Sequence, residues 1–293
     1  IINNFSSNYV DGQSDLFIVE ADESDATFTR IPSESAVITN IDKEHLDFYK
    51  TYENICEHYR NFISNTADDG ITAINLDDRK MEDLYDSDQA KVITYSTEDP
   101  SADLFASNIR AEGKMQIFDI IFSEKFIKKS KLEYSELKEL KLALLGLHNV
   151  SNSLGAIAIA LNYHISVKNL KKALATFAGM NRRFTRVAEL EGVNIIDDYA
   201  HHPIEIQKTL EMARQTAPES RLIVILQPHR YTRLQANFEE FAECAKDANY
   251  IFVVDVFSAD EEPIADINSQ TLVDSMLNYN RQAKYAKNKA ELF

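Results

Sequence analysis

Four stretches of this sequence concentrate side chains that can bind ions or move protons. Glu20-Ala21-Asp22-Glu23-Ser24-Asp25 directly follows the apolar run Leu16 to Val19. Thr39-Asn40-Ile41-Asp42-Lys43-Glu44-His45-Leu46-Asp47 follows the apolar run Ala36 to Ile38. Asp197-Asp198-Tyr199-Ala200-His201-His202-Pro203 and Gln227-Pro228-His229-Arg230-Tyr231-Thr232-Arg233 likewise follow apolar runs. In open α/β sheets ligands bind just beyond the carboxyl ends of the strands, so their position is as informative as their composition. An imidazole beside several carboxylates, as at His45 where the first two of these loops converge, suits a divalent cation, and ligand type by itself favours Zn or Mn over the oxygen-seeking Mg. A solvated acidic loop and an ordinary surface imidazole account for the same residues. Two Asp, a Tyr and two His at 197–202 exceed what a helix cap requires, and Pro203 fits a first helical position. Arg230 and Arg233, three apart, share a face if a helix has begun there and can clamp a carboxylate or phosphate.

Two further stretches carry weaker signals. Gly146-Leu147-His148-Asn149-Val150-Ser151-Asn152 opens a helix, where His148, Asn149 and Asn152 offer donors and acceptors to a purine edge; N-capping by Asn149 or Ser151 explains it equally. Arg182 and Arg183 follow the break Gly179-Met180-Asn181 and could meet phosphate, or be a solvated pair.

The elements that must position these groups follow from periodicity. Leu16 to Val19, Ala36 to Ile38, Val92 to Tyr95, Ile195 to Ile196, Leu222 to Leu226 and Ile251 to Val254 read as buried strands. Between them, Ile55, Tyr59, Phe62 and Ile63, then Ile204 to Met212, and Phe238, Phe241 and Ala245 recur at helical spacing, while Ser151 to Leu161 and Val167 to Ala178 read as two further helices. Strands alternating with amphipathic helices predict an α/β fold of two consecutive parallel-sheet domains, 1–180 and 181–293. Gln116 to Phe122 reads as an antiparallel edge or insertion, and no closing strand is evident before Phe293.

A net charge of -16 argues against nucleic acid or an anionic membrane as partner, so an anionic substrate must be met by local Arg clusters. No apolar run has the length of a membrane span, and Ile1 to Val10 do not read as a secretory signal. The two cysteines, Cys56 and Cys244, lie far apart in helical patterns, which suits free thiols in a reducing compartment and implies the cytoplasm.

Taken together and in this order, Glu20 to Asp25, Thr39 to His45, Asp197 to Pro203 and Gln227 to Arg233 resemble the Mur ligase family, collinearly from about Gly12 to Ile267. The resemblance implies a central ATPase domain over 1–180, incomplete at its N-terminal side, and a Rossmann-like amino-acid-binding domain over 181–293. It is strongest to the branch that joins L-alanine to the carboxylate of UDP-N-acetylmuramate through an acyl phosphate in peptidoglycan synthesis. It implies ATP and Mg (or Mn), revising the choice of metal, with Glu20 and His45 as metal ligands and His148, Asn149 and Asn152 near adenine. An Arg of the Arg182-Arg183 pair would reach the ATP phosphates, and Asp197 or Asp198 the ribose or an interdomain contact. Tyr199, His201, His229, Arg230 and Arg233 would line the place where alanine and the muramyl carboxylate meet. The family's phosphate loop, G-x-x-x-x-G-K-[ST], is matched by none of the seven glycines, and the UDP-binding domain is not in this sequence; both are expected upstream. Leu147 stands where relatives often carry Arg. Alternative readings are a related ligase with another amino acid or a peptide as acceptor, a metal-dependent hydrolase using Glu20, His45 and Asp197, and a non-catalytic binding module.

Overall fold

A computed structural model describes residues 1–86 and 89–292, in two compact units, Ile1–Gly179 and Met180–Phe293. Phe293 itself and residues 87–88 lie outside the described residues.

The first unit is organised by a six-stranded sheet of β1 (Ala36–Ile38), β2 (Thr72–Asn75), β3 (Val92–Ser96), β4 (Leu104–Glu112), β5 (Met115–Phe122) and β6 (Glu136–Leu142), in that order. β1 to β4 pair in parallel; β4, β5 and β6 pair antiparallel, so the expected antiparallel edge around Gln116 to Phe122 is present and the sheet is mixed. β2 is buried at all four positions, as a parallel strand covered on both faces must be. Its short Thr-Ala-Ile-Asn run gave no separate signal in the sequence, and neither did the Lys- and Glu-rich β6.

The helices of this unit are α1 (Leu46–Tyr49), α2 (Tyr52–Asn65), α3 (Glu124–Ser130), α4 (Leu147–Asn162) and α5 (Val167–Thr176). The Thr51 hydroxyl accepts from the Asn54 amide and caps α2, which buries Ile55, Cys56, Phe62 and Ile63. α4 begins four residues earlier than its apolar pattern suggested, because Gly146 at φ 100° supplies the turn into it. It buries Val150, Leu154, Ile157, Ala158 and Leu161 against the sheet core of Tyr95, Leu104, Phe118 and Leu140. At the closest point, a Cβ on Gly155 would stand 2.6 Å from Val37 Cγ1 and 3.2 Å from the Tyr95 ring.

One expected strand is not formed. Leu16 to Val19 has no regular structure, and Phe17 and Ile18 are 83% and 92% exposed. The run is apolar enough for a buried strand, but apolarity creates a strand only where a neighbour supplies ladder hydrogen bonds, and β1 has β2 as its one partner among the described residues.

The second unit has a parallel sheet in the order β11 (Ala283–Tyr285), β10 (Tyr250–Val253), β9 (Ile223–Leu226). With it come α6 (Pro203–Thr216), α7 (Tyr231–Ala236), α8 (Phe238–Glu243) and α9 (Ser269–Met276). Val224, Leu226, Leu234, Phe241, Ile251, Val253, Leu272 and Met276 form its core. β11 is a closing strand that the sequence reading missed, since Ala-Lys-Tyr is too short and polar to register. A second correction concerns Ile195 and Ile196. They lie in β8 (Val193–Asp197), which pairs antiparallel with β7 (Thr185–Leu190) as a separate hairpin, and both are exposed rather than buried.

Gly155→Ala should destabilise the first unit by about 1–3 kcal/mol, the usual cost of overpacking, because the Val37 methyl and the Tyr95 ring leave the new methyl no room. Thermal unfolding monitored by circular dichroism checks this; an unchanged midpoint would show that α4 can lift from β1 at no cost.

Candidate active site

In the first unit the loop after β1 is fixed before it reaches the chemistry. The Asn75 amide donates to the Thr39 carbonyl (2.9 Å), the Ile41 N–H to the Asp78 carboxylate (3.1 Å), and the Lys80 ammonium to Asp42 (2.9 Å). The chain then enters α1 through His45, whose left-handed backbone (φ 53°) turns the ring back towards the acidic loop. His45 Nε2 lies 3.8 Å from Glu23 Oε1 and 3.8 Å from Glu44 Oε2, and one donor atom from each of the three lies within 4.8 Å of the others. Glu23 is held through its backbone carbonyl, which accepts from the Tyr49 hydroxyl; burial and then the neighbouring carboxylates push that phenol above its usual pKa. Asp22 accepts from the Ser24 N–H at 2.8 Å, which holds its carboxyl below the ordinary range.

Two carboxylates and an imidazole at this spacing fit a divalent cation. Of the expected ligands the structure brings in His45. Glu20 lies on the exposed stretch leading into the loop and is outside the trio formed by the described residues. Glu23 and Glu44 were in the two motifs but had not been singled out, because sequence spacing cannot say which of the seven acids turns inward. The side chain of Asp47 lies outside the described residues.

The start of α4 is tied to the same ends of the strands. Ser151 Oγ donates to Asn75 Oδ1 (3.3 Å) and Asp77 Oδ2 (3.1 Å) rather than capping the helix. Asn149 does not cap it either, as its amide donates to the Leu145 carbonyl (2.7 Å). Asp77 also accepts from the Ser96 hydroxyl, the Thr97 N–H (2.9 Å) and the Thr97 hydroxyl (2.8 Å). This carboxylate, absent from the sequence reading, joins the ends of β2 and β3 to α4. His148, Asn149 and Asn152 sit in the first two turns of α4, with Asn152 exposed and the other two half-buried.

In the second unit the segment after β8 is braced by two carboxylates. Asp198 accepts from the Phe184 and Ala200 N–H groups, both at 2.7 Å, instead of capping a helix. Asp197 lies 3.8 Å from Arg182, whose guanidinium stands 4.7 Å above the Tyr199 ring. Arg183 pairs with Glu205 at 3.2 Å. Glu205 in the first turn of α6 accepts from the His201 and His202 N–H groups (3.0 and 3.3 Å). Burial works to raise its pKa, but these hydrogen bonds and the charges of His201 and Arg183 prevail and hold it low. Pro203 occupies the first position of α6, as expected.

His201 and His229 face one another with ring centroids 5.9 Å apart, and the His201 Nδ1 is 2.9 Å from the Tyr199 carbonyl. The segment after β9 is clasped by the one after β10. Arg230 N–H donates to Phe257 O, Phe257 N–H to Pro228 O, both at 2.8 Å, and the Phe257 ring stacks on His229 at 4.9 Å. Burial, then the charges of Arg233, His201 and Arg230, lower the His229 pKa, so the ring is neutral at pH 7. Its Nδ1 is buried without a hydrogen-bond partner among the described residues. α7 starts at Tyr231, so Arg233 is helical, whereas Arg230 precedes the helix at φ 69°; the shared helical face expected for the two Arg is not formed. Arg230 instead approaches Glu261 at 3.9 Å. Two guanidiniums and a neutral imidazole can hold an anionic group and accept a proton from an ammonium that must become a nucleophile. Phe257 and Glu261 had no sequence signal, because they reach the cluster from a loop of unremarkable composition.

A family profile described as Mur ligase middle domain matches residues 2–160, and one described as Mur ligase, glutamate ligase domain, matches 182–293. The chain is 41% identical over 288 residues to the UDP-N-acetylmuramate--L-alanine ligase of Brucella anthropi, and 40% identical over 290 residues to that of Brucella ovis. Each match takes in 98% of this chain and 60% of the relative, so the chain spans about three-fifths of the length of the curated relatives it matches. Among solved structures, UDP-N-acetylmuramate-alanine ligase of Thermotoga maritima superposes with a TM-score of 0.69 at 24% identity, over 92% of this chain and 55% of that one. A murein peptide ligase from Psychrobacter arcticus superposes at 0.58 and 23% identity, over 90% and 52%. These superpositions establish the fold, and the matches along the sequence establish the kinship: the chain belongs to the Mur ligase family.

Proposed function

We propose that the full-length product of this gene is a cytoplasmic, ADP-forming ligase that joins L-alanine to the lactyl carboxylate of UDP-N-acetylmuramate, with 1–180 contributing to its ATPase domain and 181–293 its amino-acid-binding domain. What carries the reading is the 41% identity to an enzyme named for that reaction, over 98% of the chain. The His201, His229, Arg230 and Arg233 cluster supports it, being suited to hold carboxylates beside a proton acceptor.

When bound, ATP and a divalent ion supply the phosphoryl group and the charge that make the carboxylate reactive. The residues of this chain hold and orient. His45 and Glu23 with Glu44 are the proposed metal ligands, and Glu20, three residues before Glu23, is the further carboxylate implied by the family motif. Mg is the expected ion and Mn the substitute, since Mn accepts an imidazole more readily. His148, Asn149 and Asn152 are proposed to face adenine, with Asp77 setting the helix that carries them. Arg182 or Arg183 is proposed to meet phosphate, and Asp197 or Asp198 the ribose. Arg230 and Arg233 neutralise the acyl oxygens, Tyr199 and His201 wall the site, and His229 takes a proton from the alanine ammonium.

Two experiments test this reading. Mn²⁺ added to this chain should broaden the His45 ring resonances in NMR, and His45→Ala should abolish the binding; broadening confined to other histidines would move the ion elsewhere. In the full-length protein, phosphate release should require both UDP-N-acetylmuramate and L-alanine, and Arg230→Ala should lower turnover by about a hundredfold or more, the scale of losing one preorganised charge partner. Release without any amino acid would mean a hydrolase, and normal turnover in the variant would remove Arg230 from the site.

A further inference from the structure

The loop from Val254 to Glu261 does more than pass the His229 cluster. Ala259 and Asp260 both hold left-handed backbone, φ 50° and 65°, which is unfavourable for residues with a Cβ and persists only when surrounding contacts impose it. Those contacts are at the two ends of the turn. At one end Phe257 exchanges backbone hydrogen bonds with Pro228 and Arg230 and stacks on His229. At the other, Glu261 reaches α7: its carboxylate accepts from the Thr232 N–H (3.0 Å) and the Thr232 hydroxyl (2.7 Å), and Arg230 Nη1 stands 3.9 Å away. Its side chain is 20% exposed, so these contacts are only partly screened by solvent.

We infer that Glu261 is a positioning residue of the amine-acceptor site: it pins the first turn of α7 through Thr232 and supplies the negative charge against which Arg230 and His229 are set. The backbone half follows from helix geometry. An N–H in the first turn has no acceptor within its own helix, so the Thr232 amide depends on Glu261 for its hydrogen bond. The charge half follows from the neighbours of His229. Arg233 on α7, Arg230 just before it and His201 before α6 all disfavour the protonated ring, Phe257 covers it, and Glu261 is the carboxylate opposing them. Without it the cluster would hold two guanidiniums and two imidazoles, and Arg230 would be unrestrained by any contact with that loop's carboxylate.

What the positioning serves rests on the ligase reading of this cluster. The contacts themselves are properties of the chain, so they are tested on the chain without ligand, and their failure is distinguishable from failure of that reading. Glu261→Gln keeps the side chain's shape and one acceptor oxygen but removes the charge; the His229 ring, assigned by its loss in His229→Asn, should then titrate at lower pH than in the parent. Glu261→Ala removes the acceptor; amide exchange at Thr232 should accelerate about tenfold, the scale of one hydrogen bond, while Phe241 and Val253 in the core keep their protection. An unchanged His229 titration in the first variant, unchanged protection of Thr232 in the second, or acceleration spread equally over the core would each overturn the proposal.

Discussion

Burying a parallel sheet on both faces leaves its functional groups one place to emerge, the loops beyond the strand ends, and those loops must then be made rigid by polar contacts of their own. In the first unit the constraint is visible at Gly155. A helix that approaches β1 and β3 closely enough to exclude a single Cβ brings its N-terminal turns within hydrogen-bonding distance of the ends of β2 and β3. Asn75 and Asp77 convert that proximity into order. They join Thr39, Ser96, Thr97 and Ser151, so the loop leading to His45 and the helix bearing His148, Asn149 and Asn152 share one scaffold. A carboxylate saturated by donors is poorly suited to bind anything else, which separates Asp77 from the acids around His45 that remain able to take a cation.

The second unit solves the same problem with charge. Glu205 and Glu261 are each surrounded by groups that donate to them or carry positive charge, and each accepts from backbone N–H groups at the start of a helix: His201 and His202 just before α6, Thr232 in the first turn of α7. Negative charge is favoured there by the helix itself. The two carboxylates thus fix the orientation of the imidazoles and guanidiniums without occupying the faces those groups turn to one another. Asp198 does comparable work for Tyr199 by holding the N–H of Ala200, the residue after it, and the N–H of Phe184 on the segment before β7.

The motifs were legible because loops dense in carboxylates, imidazoles and guanidiniums depart from what solubility or capping requires, and four such departures in a fixed order are specific. The bracing was not legible. Asp77, Glu205, Phe257 and Glu261 act through partners distant in sequence or through one geometry among many open to them, and composition does not encode distance. The strands fell into the same two groups. β1, β3, β9 and β10 are apolar runs bounded by loops, whereas β2, β6 and β11 are made strands by their neighbours. Leu16 to Val19 is the converse, with strand-like residues and no ladder partner among the described residues.

That converse bears on how Glu20 and Glu23 should be compared. Both belong to one acidic run, yet they are positioned by different things. Glu23 is fixed from below, through the Tyr49 hydroxyl and the turn made by Asp22 with Ser24 and Asp25 with Thr27, all of which belong to the compact part of the first unit. Glu20 takes its position from the exposed run before it, where Phe17 and Ile18 face solvent. A hard cation needs several oxygens held at once, and oxygens borne by an unbraced segment pay an ordering entropy that braced ones do not. In the described chain the His45 imidazole is therefore served first by Glu23 and Glu44, and Glu20 can join them only to the extent that something orders the residues preceding it.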